Sequence, residues 1–414
     1  MNEIREDAYK IIRMSINEVL PEKAVQKALE NKSFTGSVIV IAIGKAAWNM
    51  ANAAKESLGS KIVKGLVVTK YEHSRGPIEG FEIIEAGHPI PDENSVIGAA
   101  RALEMVKGLS SGDEVIFLIS GGGSSIFEKP AHGITLEDIM DITNQLLSSG
   151  ADIVEINTIR KHLSDVKGGR FAEQCLPAKV FSIVLSDVIG DRLDSIASGP
   201  AYPDSSTSVE ALEIINKYKL KVKPNVIDTI KIETPKEITN TTTVITGSVT
   251  ALCEAALKNA EILGYEVNLL TTTLDCEAKE AGKFLAAIAR EANRNPKQKK
   301  PCAWIAGGET VVKIIGSGKG GRNQELALAA AIGIDGWKNT VIFSVGSDGT
   351  DGPTDAAGGM VDGETVRRIK SKNASPYQLL ENNDSYHALS LSGDLIKTGS
   401  TGTNVNDLMM ILFK

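Results

Sequence analysis

Residues 37–54 read SVIVIAIGKAAWNMANAA, and this stretch decides the fold. Five of its first seven residues are Val or Ile, with no alternation of polar and apolar positions. A strand of that kind is covered on both faces, as in a parallel sheet flanked by helices. Gly44 then supplies a turn, and the alanine-rich continuation carries a helical pattern from about Lys45. Outward from it the scheme recurs. GLVVT (65–69) and EIIEA (82–86) read as strands, EVIFLIS (114–120) runs into GGGSS, and KVFSIVLS (179–186) runs into DVIGD. Two helical segments, roughly 3–19 and 22–31, come first. TLEDIMDITNQLL at 135–147 opens with the capping-box spacing of Thr135 and Asp138. Beyond a looser stretch at 203–240, the segments TTVIT, YEVNLLT, CAWIAGG, TVVKII, TVIFSVG and DLMMILF read as strands. Helices are expected between them at 249–263, 277–294 and 322–332, and RNPKQKK at 294–300 reads as a solvated basic turn. The expectation is α/β: two α/β domains, 1–236 and 237–414, the first a doubly wound, mostly parallel, Rossmann-like sheet.

Composition narrows the function classes. With 414 residues, 42% hydrophobic and 23% charged, the chain is a folded protein too long for one ordinary core. Its net charge of −7 argues against a chain-wide nucleic-acid footprint. Four scattered cysteines, without a C-x-x-C pair, fit neither a disulfide framework nor a zinc site, and suit a reducing cytoplasm. No apolar run approaches the ~20 residues of a membrane span, so no membrane partner is expected.

Ligands of open parallel sheets sit beyond the carboxyl ends of strands, and that rule sorts the candidate residues. Lys45 stands at a helix start, a poor place for a cation unless it meets an anion that the helix dipole also attracts. Ser120, Gly121, Gly122, Gly123 and Ser124 follow a buried strand and suit a phosphate-binding nest. Asp187 and Asp191 follow another, where carboxylates serve a divalent cation, a general base or a helix cap. Gly316, Gly318 and Gly321 satisfy G-x-G-x-x-G literally, but the acid needed on the ribose is absent. What distinguishes that loop is its pair of cations, Lys319 and Arg322, with Glu309 just upstream. Asp348, Asp351 and Asp355 follow TVIFSVG at spacings that fail the EF-hand pattern. His88, in GHPIPD, reads as a satisfied loop histidine.

Several of these segments together resemble one family. IGKAA (43–47), GHPIPD (87–92), SGGGSS (120–125), KGGR (167–170), SDVIGD (186–191) and ASGP (197–200) match its motifs in order. GGET (307–310), GKGGRNQE (318–325), GSDGTDGPTDAAG (346–358) and TGTNVNDL (401–408) continue the series. The chain is similar to glycerate 2-kinases of the MOFRL type, whose older label is hydroxypyruvate reductase. Departures are small: Ile189 stands where proline is frequent, and SSIFEKP is a variant after the glycine loop. The resemblance implies ATP-dependent phosphorylation of D-glycerate on its 2-hydroxyl, with Mg²⁺ or another divalent cation, in a cleft between the two domains. It implies a MOFRL region at about 300–410. Lys45, Arg322 and Asp187 are the expected catalytic residues, and Lys45, Arg322 and Glu309 the expected glycerate contacts. Ser120 to Ser124 with Lys319 are expected on the nucleotide, and Asp348, Asp351 and Asp191 on the metal. The expected state is a cytoplasmic monomer or homodimer. Two other readings are an NAD(P)H-dependent reductase, and a non-catalytic sugar-acid-binding protein.

Overall fold

The computed structural model describes residues 3–295 and 301–414, so most of the basic turn at 294–300 lies outside the described residues. Two units divide the chain, Pro21–Thr246, and Met1–Leu20 together with Gly247–Lys414.

In Pro21–Thr246 the strands are β1 (Val38–Ile43), β2 (Ile62–Lys70), β3 (Phe81–Ala86), β4 (Glu114–Ile119), β5 (Lys179–Leu185) and β6 (Thr241–Gly247). They lie in the order β3-β2-β1-β4-β5-β6, and β1 to β5 are parallel. Ile39, Ile41 and Ile43 enter one core cluster while Val38, Val40 and Ala42 enter another. Both faces of the sheet are therefore covered, which is why β1 carries no polar alternation. This is the doubly wound order expected of a Rossmann-like sheet. The order reverses between neighbours β1 and β4, and the carboxyl ends at such a switch point border the ligand crevice. Four further helices, Leu136–Ser148, Ile153–His162, Ser208–Tyr218 and Pro224–Ile230, share a core of their own. The stretch at 203–240 that reads loosely thus holds two helices, the first with a capping box between Thr207 and Glu210.

The unit boundary differs from the expected division at 236. TTVIT is not the first strand of the second unit but part of β6, the edge strand beside β5. Val180 N–H donates to Asn240 O at 2.8 Å, and the Asn240 amide donates to Ala172 O and Ala178 O. At the other end, helix Glu3–Glu18 buries Ile4, Ala8, Ile11, Ile12 and Ile16 in one cluster with Val249 and Leu252. That apolar face belongs to the core of the later unit, and it takes the first residues of the chain there.

The second unit has a mixed sheet. Its strands are β7 (Glu266–Leu274), β8 (Cys302–Gly308), β9 (Thr340–Gly346), β10 (Gly358–Asp362), β11 (Leu395–Ile396) and β12 (Asp407–Phe413). Their order is β11-β10-β9-β12-β8-β7. β7 and β8 are parallel, whereas β12 runs antiparallel between β8 and β9. Every residue of β12 is buried, as DLMMILF demands. TVVKII does not form a strand: only Val311 bridges, to Glu277, and Ile314 and Ile315 are exposed. The antiparallel entry of β12 sets Asp407, its first residue, opposite Gly308 of β8 and Gly346 of β9. That register builds the second of the two sites below.

Candidate active site

Each unit gathers functional side chains at one edge of its sheet. In Pro21–Thr246 the edge is the switch point. The turns after β1 and β4 are stitched together, Lys45 N–H to Gly121 O at 2.9 Å and Ala46 N–H to Ser120 Oγ at 3.1 Å. Ser120 in turn donates to Ile43 O. The following helix begins at Ala47, so Lys45 stands in the turn ahead of it and not within it. Its side chain is half-buried, and its ammonium forms no ion pair among the described residues.

Close approach explains the glycines. A Cβ on Gly121 would lie 2.1 Å from Asp187 Oδ2, so only glycine lets that carboxylate reach the loop. Gly122 has φ +82°, and a Cβ there would stand 3.0 Å from both Lys45 Cε and His88 Nε2. The structure thus brings Lys45, His88, Gly121, Gly122 and Asp187 together at the ends of β1, β3, β4 and β5. Gly123 N–H, expected to face a phosphate, turns back to Ser120 O. Ser124 is held from behind: its hydroxyl bonds Ser198 Oγ at 2.7 Å, and its carbonyl accepts from Arg160. Asp191 adopts φ +52°, and its buried Oδ1 has no hydrogen-bond partner among the described residues. Lys167, from the first KGGR, is fully buried against Glu128 at 2.7 Å and braces the fold.

In the second unit the centre is Arg322, first residue of helix Arg322–Gly333. Nε meets Asp407 Oδ2 at 2.6 Å, Nη2 meets Asp407 Oδ1 at 3.1 Å, and Nη1 meets Glu309 Oε1 at 2.7 Å. Of the five guanidinium donors, two N–H bonds are left over among the described residues. Burial pushes Asp407 up to about 6 although Arg322 opposes the shift. Asp351 differs from its expected metal role. Its carboxylate is 4% exposed and accepts from Asn323 N, Gln324 N and Gln324 Nε2 at 2.8–3.1 Å. It caps the helix that carries Arg322. Asp348 Oδ1 accepts from Thr350 N–H at 2.9 Å. Among the described residues no group of three or more His, Cys, Asp or Glu side chains is arranged to hold a metal ion.

The literal G-x-G-x-x-G loop spends its backbone donors on its own chain. Ile315 and Gly316 N–H bond Asn383 Oδ1, Ser317 bonds Asn382 Oδ1, and Lys319 bonds Asp384 Oδ1. The Lys319 side chain is exposed and lies over the Tyr386 ring at 4.7 Å, apart from the Arg322 fork.

Known proteins place this architecture. A family model described as a domain of unknown function, DUF4147, matches residues 7–231, and the MOFRL family model matches 302–407. The chain is 55% identical to a D-glycerate 2-kinase of Thermotoga maritima, over 97% of either chain. It is 40% identical to a glycerate 2-kinase of Pyrococcus horikoshii, over 99% of its own length and 97% of the relative's. The crystal structure of a Thermotoga maritima glycerate kinase superposes with a TM-score of 0.97 at 53% identity, all of both chains being covered. The chain belongs to the glycerate 2-kinase family. The reductase label sits on less similar relatives, such as an Agrobacterium vitis protein at 39% identity over 91% of this chain and 99% of its own.

Two residues of these clusters escape a reading by strand ends, and the loop of a third disguises it. Asp407 begins a strand instead of following one. Arg160 comes from a helix of the added layer. His88 does follow β3, but its loop looks self-satisfied on paper.

Proposed function

We propose that this chain transfers the γ-phosphoryl group of ATP to the 2-hydroxyl of D-glycerate, releasing ADP and 2-phosphoglycerate. The observation that carries the reading is Lys45, a half-buried cation with no ion-paired carboxylate among the described residues, at the switch point of a doubly wound sheet. A desolvated cation without a counter-charge is costly until an anion arrives, and a triphosphate supplies one. The Ser120–Ser124 turn is the better nucleotide loop, because the amides of 315–319 are already bonded to Asn382, Asn383 and Asp384. The same fact argues against a dinucleotide there, and so against the reductase.

Phosphoryl transfer is mostly positioning and charge neutralisation. Lys45 would hold the phosphate oxygens, and the two spare donors of Arg322 would clamp the glycerate carboxylate or a transferring oxygen. Glu309 and Asp407 fix that fork. Magnesium usually takes one or two carboxylates plus phosphate oxygens, and the unpartnered Oδ1 of Asp191 fits that donor set. Bound there, the cation would neutralise phosphate charge. The four cysteines form no disulfide among the described residues, which suits a reducing, cytoplasmic setting. The test is direct: ADP release with D-glycerate, ATP and Mg²⁺, run beside NADH oxidation with hydroxypyruvate. Turnover only in the second assay would overturn the kinase reading.

A further inference from the structure

GHPIPD, the turn after β3, assigns a task to each polar side chain except one. Asp92 caps helix Glu93–Val106 through Ser95 and accepts from the Tyr71 hydroxyl at 2.7 Å. His88 is half-buried, yet neither ring nitrogen makes a hydrogen bond among the described residues. The loop histidine expected to be satisfied is not. Its ring lies against Gly122 and beside the Lys45 side chain, at the switch point where the reaction is proposed to occur.

The surroundings fix its protonation. Burial first, then Lys45, Lys70 and His73, push His88 down to about 4, so the free chain presents a neutral imidazole. Lys45 and His73 come from the turns after β1 and β2, and Lys70 from the end of β2. His73 itself is engaged, donating from Nδ1 to Lys45 O at 3.0 Å. A neutral imidazole has one ring nitrogen that can accept a proton. An arriving triphosphate offsets the neighbouring cations, and an opposite charge nearby favours the protonated ring. The ring is thus held ready in the free chain and becomes a better acceptor once nucleotide is bound. Asp187, the other basic group on the loop, is a carboxylate on the Gly121 side, and it would bring a second negative charge to the phosphates.

We infer that His88 is a catalytic residue, the group that accepts the proton of the acceptor hydroxyl during phosphoryl transfer. This rests on the kinase reading above. The hydroxyl oxygen forms the new bond to the γ-phosphorus, the bond from that phosphorus to the bridging oxygen breaks, and its electron pair leaves with ADP. The hydroxyl proton passes to the free ring nitrogen of His88, giving an imidazolium that returns the proton to water after product leaves. In a loose transition state this transfer comes late, so the imidazole first orients the hydroxyl and then takes its proton.

The experiment is chemical rescue. His88→Ala should lose about 10²–10⁴-fold in kcat, the usual share of a general base, while KM for ATP and for D-glycerate stays within about threefold. Added imidazole should restore turnover, and a series of substituted imidazoles should restore it in proportion to their basicity. His88→Gln, which keeps the polarity but cannot take the proton, should show the same loss without altering the melting temperature. Turnover of His88→Ala within about threefold of the unaltered chain would overturn the assignment, and so would a loss that no imidazole restores. If the unaltered chain itself fails to phosphorylate D-glycerate, the kinase reading falls and this assignment with it. An active unaltered chain with an indifferent His88→Ala removes the assignment alone.

Discussion

The fork of Arg322 on Asp407 ties activity to pH. Asp407 is fully buried, and its carboxyl sits at about 6, raised by burial against the pull of the guanidinium. Above that value it is ionised and both oxygens grip Arg322. As the pH falls through it, a proton takes one oxygen and the charge is lost, so the fork loosens. We expect kcat/KM to fall on the acid side with an apparent pKa near 6, and Asp407→Asn to abolish that limb while lowering the plateau. A limb that survives in Asp407→Asn would assign it to another group. Arg322→Lys should cost about 10²-fold or more in kcat/KM, because an ammonium cannot hold Asp407 in two places and still offer two donors. Near-full activity in that variant would remove Arg322 from the mechanism.

At the scale of the element, Asp351 and Asp187 separate into different tasks. Asp351 caps helix Arg322–Gly333 with a nearly buried carboxylate. Asp351→Asn points an amide N–H at donors and should cost about 1–3 kcal/mol in urea unfolding, with activity falling as Arg322 loses its footing. Unchanged stability would return Asp351 to the metal. Asp187 touches the Gly121 turn at the end of β5, so Asp187→Asn should reduce kcat while leaving unfolding within about 0.5 kcal/mol. Wild-type kcat across a magnesium titration would make it a turn former. The element scale also explains what could be read in advance. Lys45, the glycine turn and Asp187 were legible because parallel strands deliver their following residues to one edge. Asp407 was not, since β12 runs antiparallel and brings its beginning to the edge where β8 and β9 end. Nor was the task of Asp351 legible, because the helix it caps lies 28 positions earlier.

For the whole molecule, the parallel character of the first sheet, covered on both faces, followed from its buried Val and Ile runs, whereas the unit boundary did not. Nothing local in TTVIT says which sheet it will join, and the first helix pairs with residues some 240 positions away, such as Asn259 with Ser15. Lys45 and Arg322 belong to different units, yet the proposal gives them one phosphoryl transfer. Lys45→Ala and Arg322→Lys combined should therefore be much less than additively worse than either alone. Full additivity in kcat/KM would mean that they act in separate steps. The most direct measurement is phosphorus NMR of the product formed from D-glycerate, ATP and Mg²⁺. The resonance of 2-phosphoglycerate should appear with that of ADP, in equal amounts. A 3-phosphoglycerate resonance, or ADP with free phosphate and no phosphorylated glycerate, would contradict it.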